Sequence, residues 1–202
     1  KIQKNDSLIG MEKKEALKKA RALYLKKIKQ MDDDKLFIEE SNFGGEFMSL
    51  MARIITFPMP TIAAVNGHAF GAGFMCALCH DVRFMRSDRG FICANEVEIG
   101  MVIPNPELAL FRHKIPMNVF FETVQLARRW TGPDALAAGI VQQIEPLDKL
   151  LDAATRRATE LTRLGANRKI YGKMKEAIYG ENAPINNVHG PAYMLSHPEL
   201  FH

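Results

Sequence analysis

An apolar run that breaks at a cluster of glycines and then resumes restricts this chain more than any other feature. Residues 58–81 read PMPTIAAVNGHAFGAGFMCALCHD, with Gly67, Gly71 and Gly73 between two apolar segments. Pro58 and Pro60 end any helix that arrives from upstream, so 61–65 is expected to be a short buried strand. Residues 74–79, entered through the glycines, are expected to form a buried helix. Glycines at such a bend let backbone amides approach a bound group where a side chain would block them. Downstream, Glu96 and Glu98 stand in the apolar frame Asn95-Glu96-Val97-Glu98-Ile99-Gly100. Amide donors together with a carboxylate in apolar surroundings are the parts needed to form and hold an enolate.

On either side of this centre the hydrophobic pattern alternates between helix and strand. Residues 11–31 place Leu17, Ala20, Tyr24, Ile28 and Met31 on one stripe, with lysines on the other faces. Residues 35–38 suggest a short strand after an acidic break at 32–34. Phe47, Leu50, Met51, Ile54 and Ile55 suggest a helix that stops before Pro58. Two further strands are expected at 82–85 and 90–94, with a turn at 87–90, and helices at 106–111 and 118–130. Gly132-Pro133-Asp134 opens a helix that Gly139 closes, before a strand at 140–144. Residues 150–163 and 169–178 are helical in pattern, and the proline-bearing tail after Gly180 is expected to be irregular. Strands alternating with helices place the chain in the α/β class.

Charge is distributed unevenly. The first thirty residues hold ten Lys or Arg against three acidic residues, whereas the rest holds seventeen against twenty. A mildly acidic body argues against nucleic acid as a partner. The basic helix at 11–31 is either a solvated helix with a packed stripe or an attachment to an acidic protein or anionic membrane surface. No apolar run approaches the roughly 20 residues that span a bilayer. Cys76, Cys79 and Cys93 suggest a reducing compartment and buried thiols, and the six histidines show no metal-ligand spacing, so no metal is expected. The start at Lys1 suggests a processed or incomplete chain, and the end at His202 carries no peroxisomal Ser-Lys-Leu tail.

The motifs at 58–81 and 95–100 resemble those of the crotonase (enoyl-CoA hydratase/isomerase) family. Pro60-Thr61-Ile62-Ala63-Ala64-Val65-Asn66-Gly67-His68 is similar to its strand-to-oxyanion-loop motif. Gly71-Ala72-Gly73 stands at its glycine triplet, and Ala135-Leu136-Ala137-Ala138-Gly139-Ile140-Val141 is similar to its Ala-x-x-x-Gly-Leu-Val segment. Within the family, Pro58-Met59-Pro60, Arg86-Ser87-Asp88-Arg89-Gly90 and Glu96-Val97-Glu98-Ile99-Gly100 look most like Δ3,Δ2-enoyl-CoA isomerases of the plant peroxisomal type. The resemblance implies an α/β fold with a crotonase-like ββα-spiral core and C-terminal helices. It divides the chain into a basic extension at 1–40, a core at 41–150 and a helical segment with an irregular tail at 151–202.

What the resemblance implies chemically is specific. Family hydratases use two carboxylates, and the first of those positions is Met75 here. One carboxylate is enough to move a double bond, taking a proton from C2 and returning it to C4. Glu96 is the expected base, with Glu107 the alternative, since some isomerases carry theirs downstream of the glycine. The Ala72 amide is the expected oxyanion donor, and Gly67, His68, Gly71, Gly73 and Met75 the expected substrate-binding residues. Glu98 is expected to point away, by strand alternation from Glu96. The substrate would be a coenzyme A thioester, with no resident cofactor, and the assembly a homo-trimer or larger. Residues before Phe43 do not reproduce the family loop that gives the second oxyanion amide, so the core lacks its N-terminal strands as written. Two functions follow from this: a 3-enoyl-CoA to 2-trans-enoyl-CoA isomerase of fatty-acid β-oxidation, or an inactive crotonase-fold accessory subunit of a mitochondrial assembly. The mitochondrial matrix is the favoured setting and the peroxisome the other.

Overall fold

The computed structural model describes residues 33–180 and 190–200, with side chains from residue 44 onward. The chain divides into two units, Lys1–Gly44 and Gly45–His202, and the second holds both sheets and the site. The basic stripe at 11–31 lies outside the described residues.

Helix α1 (Asp33–Ile55) replaces the strand expected at 35–38. A four-residue apolar run fits either state, because its periodicity cannot separate the two. The C-terminal part of α1 buries Met51, Ala52 and Ile55. The helix ends three residues before Pro58, as the prolines require.

From there the chain runs strand, strand, helix twice. The first turn is β1 (Ile62–Val65), β2 (Ala69–Phe70) and α2 (Ala72–Leu78). The second is β3 (Val82–Arg86), β4 (Ile92–Cys93), a short 3-10 turn (Glu96–Ile99) and α3 (Asn105–Lys114). The first strand of each turn enters one sheet and the second enters another. β1 pairs parallel with β3, Ile62 opposite Val82 and Val65 opposite Met85, while β2 pairs parallel with β4, Ala69 opposite Ile92. Two successive ββα turns stacked in parallel register make the spiral that the resemblance implied. A third strand, β5 (Gln143–Glu145), joins β3 in parallel and completes the order β1-β3-β5. It is shorter than the strand expected at 140–144 and starts later, because Ile140 and Val141 donate their amides to Ala135 O at the end of a helix.

That helix, α5 (Gly132–Ala137), follows α4 (Met117–Val124). The helix expected at 118–130 stops at Val124. Ala127 adopts φ 48°, and Trp130 exchanges two backbone hydrogen bonds with Ile92, 2.9 and 3.0 Å, in an antiparallel bridge. Strand pairing and burial of the indole outweigh the helical pattern there. α6 (Leu147–Gly165) and α7 (Arg168–Tyr179) follow, and the tail holds a further helix, α8 (Pro191–Ser196), where irregular structure was expected. Pro191 sits in its first turn, where a missing amide costs nothing.

The main core gathers Met51, Ile55, Phe74, Leu110, Phe111 and Trp130. A second cluster packs Phe84 of β3 on Leu150, Ala153 and Ala154 of α6. Two buried charges tie the layers together. Arg83 of β3 donates to the carbonyls of Ile140 (2.7 Å), His80 (3.1 Å) and Lys114 (3.3 Å). Lys175 of α7 pairs with Asp81 at 2.8 Å and donates to Met59 O at 3.2 Å. Asp81 in turn accepts from the amide and hydroxyl of Thr61, 2.7 and 3.0 Å, which pins the entry of β1 beside the entry of β3. Among the described residues no helix is long and apolar enough to cross a membrane.

Candidate active site

The site begins at Gly71. Its amide extends the β2–β4 ladder by donating to Cys93 O at 3.0 Å. The chain then turns sharply with Gly71 at φ 48° and ψ −119°, a backbone state that suits glycine. Gly71 O accepts from the amides of Phe74 (2.9 Å) and Met75 (3.0 Å) and so starts α2. The first two amides of that helix, Ala72 and Gly73, belong to residues exposed at the surface. No carbonyl within the helix can satisfy amides at such a start, so the Ala72 amide has no partner inside α2.

The carboxylate of Glu96 lies against this bend. A methyl group on Gly71 would sit 3.1 Å from Glu96 Oε1. Glu96 opens the 3-10 turn after β4, and Gly100 closes that turn at φ 75°, with Glu96 O accepting from Met101 N at 2.9 Å. Glu96 is 8% exposed, and its Oε2 is buried with no hydrogen-bond partner among the described residues. Glu98 does point away, but through the 3-10 turn and not through strand alternation. It is exposed and paired in two hydrogen bonds with Arg129, 2.9 and 2.7 Å.

Glu107 reaches the same neighbourhood from the first turn of α3. It is 6% exposed, and its Oε2 is likewise buried without a partner. Burial pushes its carboxyl up to about 7, and the charge of Glu96 adds to the effect. Helix packing explains the placement. Glu107 and Phe111 lie one turn apart on a single face of α3. Phe111 meets Phe74 of α2 edge-on, with ring centroids 5.3 Å apart.

The other expected site residues lie elsewhere. Met75 is buried in the hydrophobic core behind the bend. Gly73 has only ordinary contact with Ala69 Cβ, at 3.7 Å for an added methyl. Gly67 supplies the carbonyl that makes a side chain at Gly90 impossible, since a methyl there would stand 2.5 Å from Gly67 O. His68 is exposed, accepts from Phe91 N at 3.3 Å and lies between the rings of Phe70 and Phe91. It lines a hollow of about 480 Å³ with Asp88, Arg89 and Pro133, one that neither Glu96 nor the glycine bend reaches. The structure therefore brings together Gly71, Glu96 and Glu107, with Ala72 beside them, and leaves His68 and Gly67 apart. Among the described residues no three His, Cys, Asp or Glu side chains gather as a metal site.

Sequence reasoning did not find the ion pairs of the surrounding fold. Lys175, far along the chain from Asp81, had no local signal beyond its helical register. Arg129, on an exposed stretch, had none that tied it to Glu98.

Comparison with known proteins agrees with this fold. The profile of the enoyl-CoA hydratase/isomerase family matches residues 26–187. Enoyl-CoA delta isomerase 1, peroxisomal, of Arabidopsis thaliana is 37% identical over 154 residues, covering 72% of this chain and 64% of that protein. Enoyl-CoA delta isomerase 3 of the same plant is 33% identical over 67% of this chain and 58% of its own length. The chain thus spans 58–64% of the plant relatives it matches. Among solved structures, the apo enoyl-CoA isomerase of Mycobacterium tuberculosis superposes with a TM-score of 0.63 at 27% identity, over 72% of this chain and 64% of that one. An enoyl-CoA hydratase/isomerase family protein from Pseudomonas syringae gives 0.64 at 25%, over 75% and 65%. Two of the plant relatives are named peroxisomal. Neither the mitochondrial setting favoured from sequence nor an accessory-subunit role finds support among these relatives. By fold, motif order and profile, the chain belongs to the enoyl-CoA hydratase/isomerase (crotonase) family.

Proposed function

We propose that this chain carries the proton-transfer site of an enoyl-CoA isomerase that moves a 3-enoyl-CoA double bond to the 2-trans position. The observation that carries the reading is the contact between the Glu96 carboxylate and the Gly71 bend. It sets a shielded base beside the first amides of a helix. In this reading the thioester carbonyl oxygen lies at the Ala72 amide, and Glu96 removes the proton from C2. The developing dienolate is stabilised as its charge collects on that oxygen. Protonation at C4 completes the shift, and Met75, an apolar side chain in the core, supplies no second acid at the usual hydratase position. The delta isomerase names of the plant relatives support the same reading, and the peroxisomal names make the peroxisome the compartment to examine first.

Purified protein incubated with a 3-enoyl-CoA should form the conjugated 2-trans thioester, detectable by its ultraviolet absorbance. Glu96→Gln should reduce turnover roughly 10²–10⁴-fold, the usual worth of a positioned general base. Turnover that survives this substitution would refute the assignment of Glu96, and no turnover by the unaltered protein would refute the isomerase reading. Self-association is proposed through α6 and α7, where Leu151, Ile170 and Met174 are exposed. A monomeric mass in sedimentation would exclude it.

A further inference from the structure

The 3-10 turn that carries Glu96 is thinly held. After Glu96, the side chains of Val97, Ile99, Met101 and Val102 are each more than half exposed, so core packing does not fix the stretch that leads to α3. Its backbone bonds are local: Glu98 N donates to Asn95 O at 3.0 Å and Met101 N to Glu96 O at 2.9 Å. Hydrogen bonds in such short tight turns have poor geometry. A base whose reach must be right to a fraction of an ångström needs a further support.

Arg129 is placed to give it. Its guanidinium donates to both carboxylate oxygens of Glu98, 2.9 and 2.7 Å, a fork that fixes direction as well as distance. The same guanidinium lies 5.9 Å from the ring centroid of Phe70, the residue before Gly71. One side chain therefore bridges the strand that enters the bend and the turn that carries Glu96. The Cys93 thiol reports the same convergence. Burial pushes it up, the Arg129 charge pulls it down, and Glu98 and Glu96 push it up again, so all three charges lie around the residue whose carbonyl accepts the Gly71 amide. Arg129 also stands on fixed backbone. Trp130 beside it is bridged to Ile92, and Ala127 O accepts from Cys93 Sγ at 3.1 Å.

We infer that Arg129 is a positioning residue for the reaction, one that grips Glu98 at two points and so holds the 3-10 turn with the Glu96 carboxylate against the Gly71 bend. The inference rests on the enoyl-CoA isomerase reading and adds to it a residue that acts through Glu98. An exposed ion pair contributes little to overall stability, so its effect lies in where Glu96 sits and not in how firmly the chain folds. Kinetics separate this role from substrate binding. A guanidinium that held the substrate would act on KM, whereas one that holds Glu98 acts on kcat.

The test measures turnover of 3-enoyl-CoA by the full chain in Arg129→Met, Glu98→Ala and the double variant. Each single change should lower kcat about 10-fold, since even a sub-ångström displacement of a reacting group is costly. KM should stay within about 2-fold, and the double variant should be no slower than the slower single one. An unchanged kcat, a loss confined to KM, or losses that multiply in the double variant would overturn the positioning role. Amide hydrogen exchange followed by NMR needs no turnover. The Glu98 and Met101 amides should exchange roughly 2–5-fold faster in either single variant, the worth of an exposed pair released to local opening. The Ile92 and Trp130 amides should keep their protection and so report an intact fold. Unchanged exchange at Glu98 and Met101 would overturn the clamp. Faster exchange there, in a protein whose unaltered form turns over no enoyl-CoA, would keep the clamp and refute the isomerase reading alone.

Discussion

Replacing Gly71 by alanine tests the centre of the site with one methyl group. The backbone there is at φ 48° and ψ −119°, a region in which a side chain carries strain of about 1–3 kcal/mol. The added carbon would also stand 3.1 Å from Glu96 Oε1, closer than an ordinary van der Waals contact, so the carboxylate must retreat by a few tenths of an ångström. A displacement of 1 Å at a reacting group costs about 10²-fold in rate, and this smaller one should lower turnover by roughly 10-fold. Gly73→Ala, two residues on, is the control for stability. Its methyl meets Ala69 Cβ at 3.7 Å, and it lies inside α2 without a positive φ. Alanine there should gain up to ~1 kcal/mol from helix propensity. The two substitutions, alike in composition, should therefore differ by about 2–4 kcal/mol in stability. Urea unfolding read by the emission of Trp130, the single tryptophan and 2% exposed, measures the difference. Gly71→Ala unfolding at or above the midpoint of Gly73→Ala would refute both the strained bend and the contact with Glu96.

Three further outcomes follow from buried charge and buried sulfur. Asp81→Asn leaves Lys175, 4% exposed, without its counter-charge and should cost about 3–5 kcal/mol. Lys175→Met should cost less, because Asp81 keeps the amide and hydroxyl of Thr61, and equal losses in urea unfolding would contradict this. Glu107, held up to about 7 in the folded chain against about 4.3 for an ordinary glutamate, binds its proton more tightly when folded. Its stabilising contribution is complete below pH ~4 and is lost as pH rises through 7, on the order of 3 kcal/mol relative to Glu107→Gln. Parallel stability–pH curves for the two proteins would refute it. Burial pushes the Cys79 thiol up to about 12 and raises those of Cys76 and Cys93, so an aromatic disulfide reagent at pH 8 should label native thiols slowly and all three in urea; fast labelling of all three in the native protein would contradict the burial.

The features legible from sequence were those set by neighbours along the chain. Pro58 and Pro60 stopped α1, the apolar run at 62–65 became β1, and Gly71 formed the bend, because each signal acts within a few residues. Where a distant partner decides, local pattern misleads. The apolar periodicity of 118–130 continues past Val124, yet Trp130 is drawn into a bridge with Ile92, and Ala127 takes a positive φ with no glycine to announce it. Glu96 and Glu98 were placed on opposite faces of a strand. They diverge instead because a 3-10 turn closed by Gly100 carries them, one toward the bend and one toward Arg129.

Glu107 shows most clearly what spacing alone withholds. In sequence it competes with Glu96 for a single role, since each is a lone acid near a glycine or proline turn. Only the packing of α3 on α2 shows that both are buried. Phe111 seats against Phe74, and Glu107 lies one turn earlier on α3, where the Glu96 charge helps to raise its carboxyl. An aromatic contact thus helps to seat the helix that carries the acid a motif reading treats as an alternative to Glu96. Phe111→Leu should keep a buried apolar side chain there but lose the edge-on ring contact. The Glu107 titration should then move toward its ordinary value, while the stability of the fold falls by only ~1 kcal/mol. A Glu107 midpoint that stays near neutrality in Phe111→Leu would mean that α3 is positioned by other contacts.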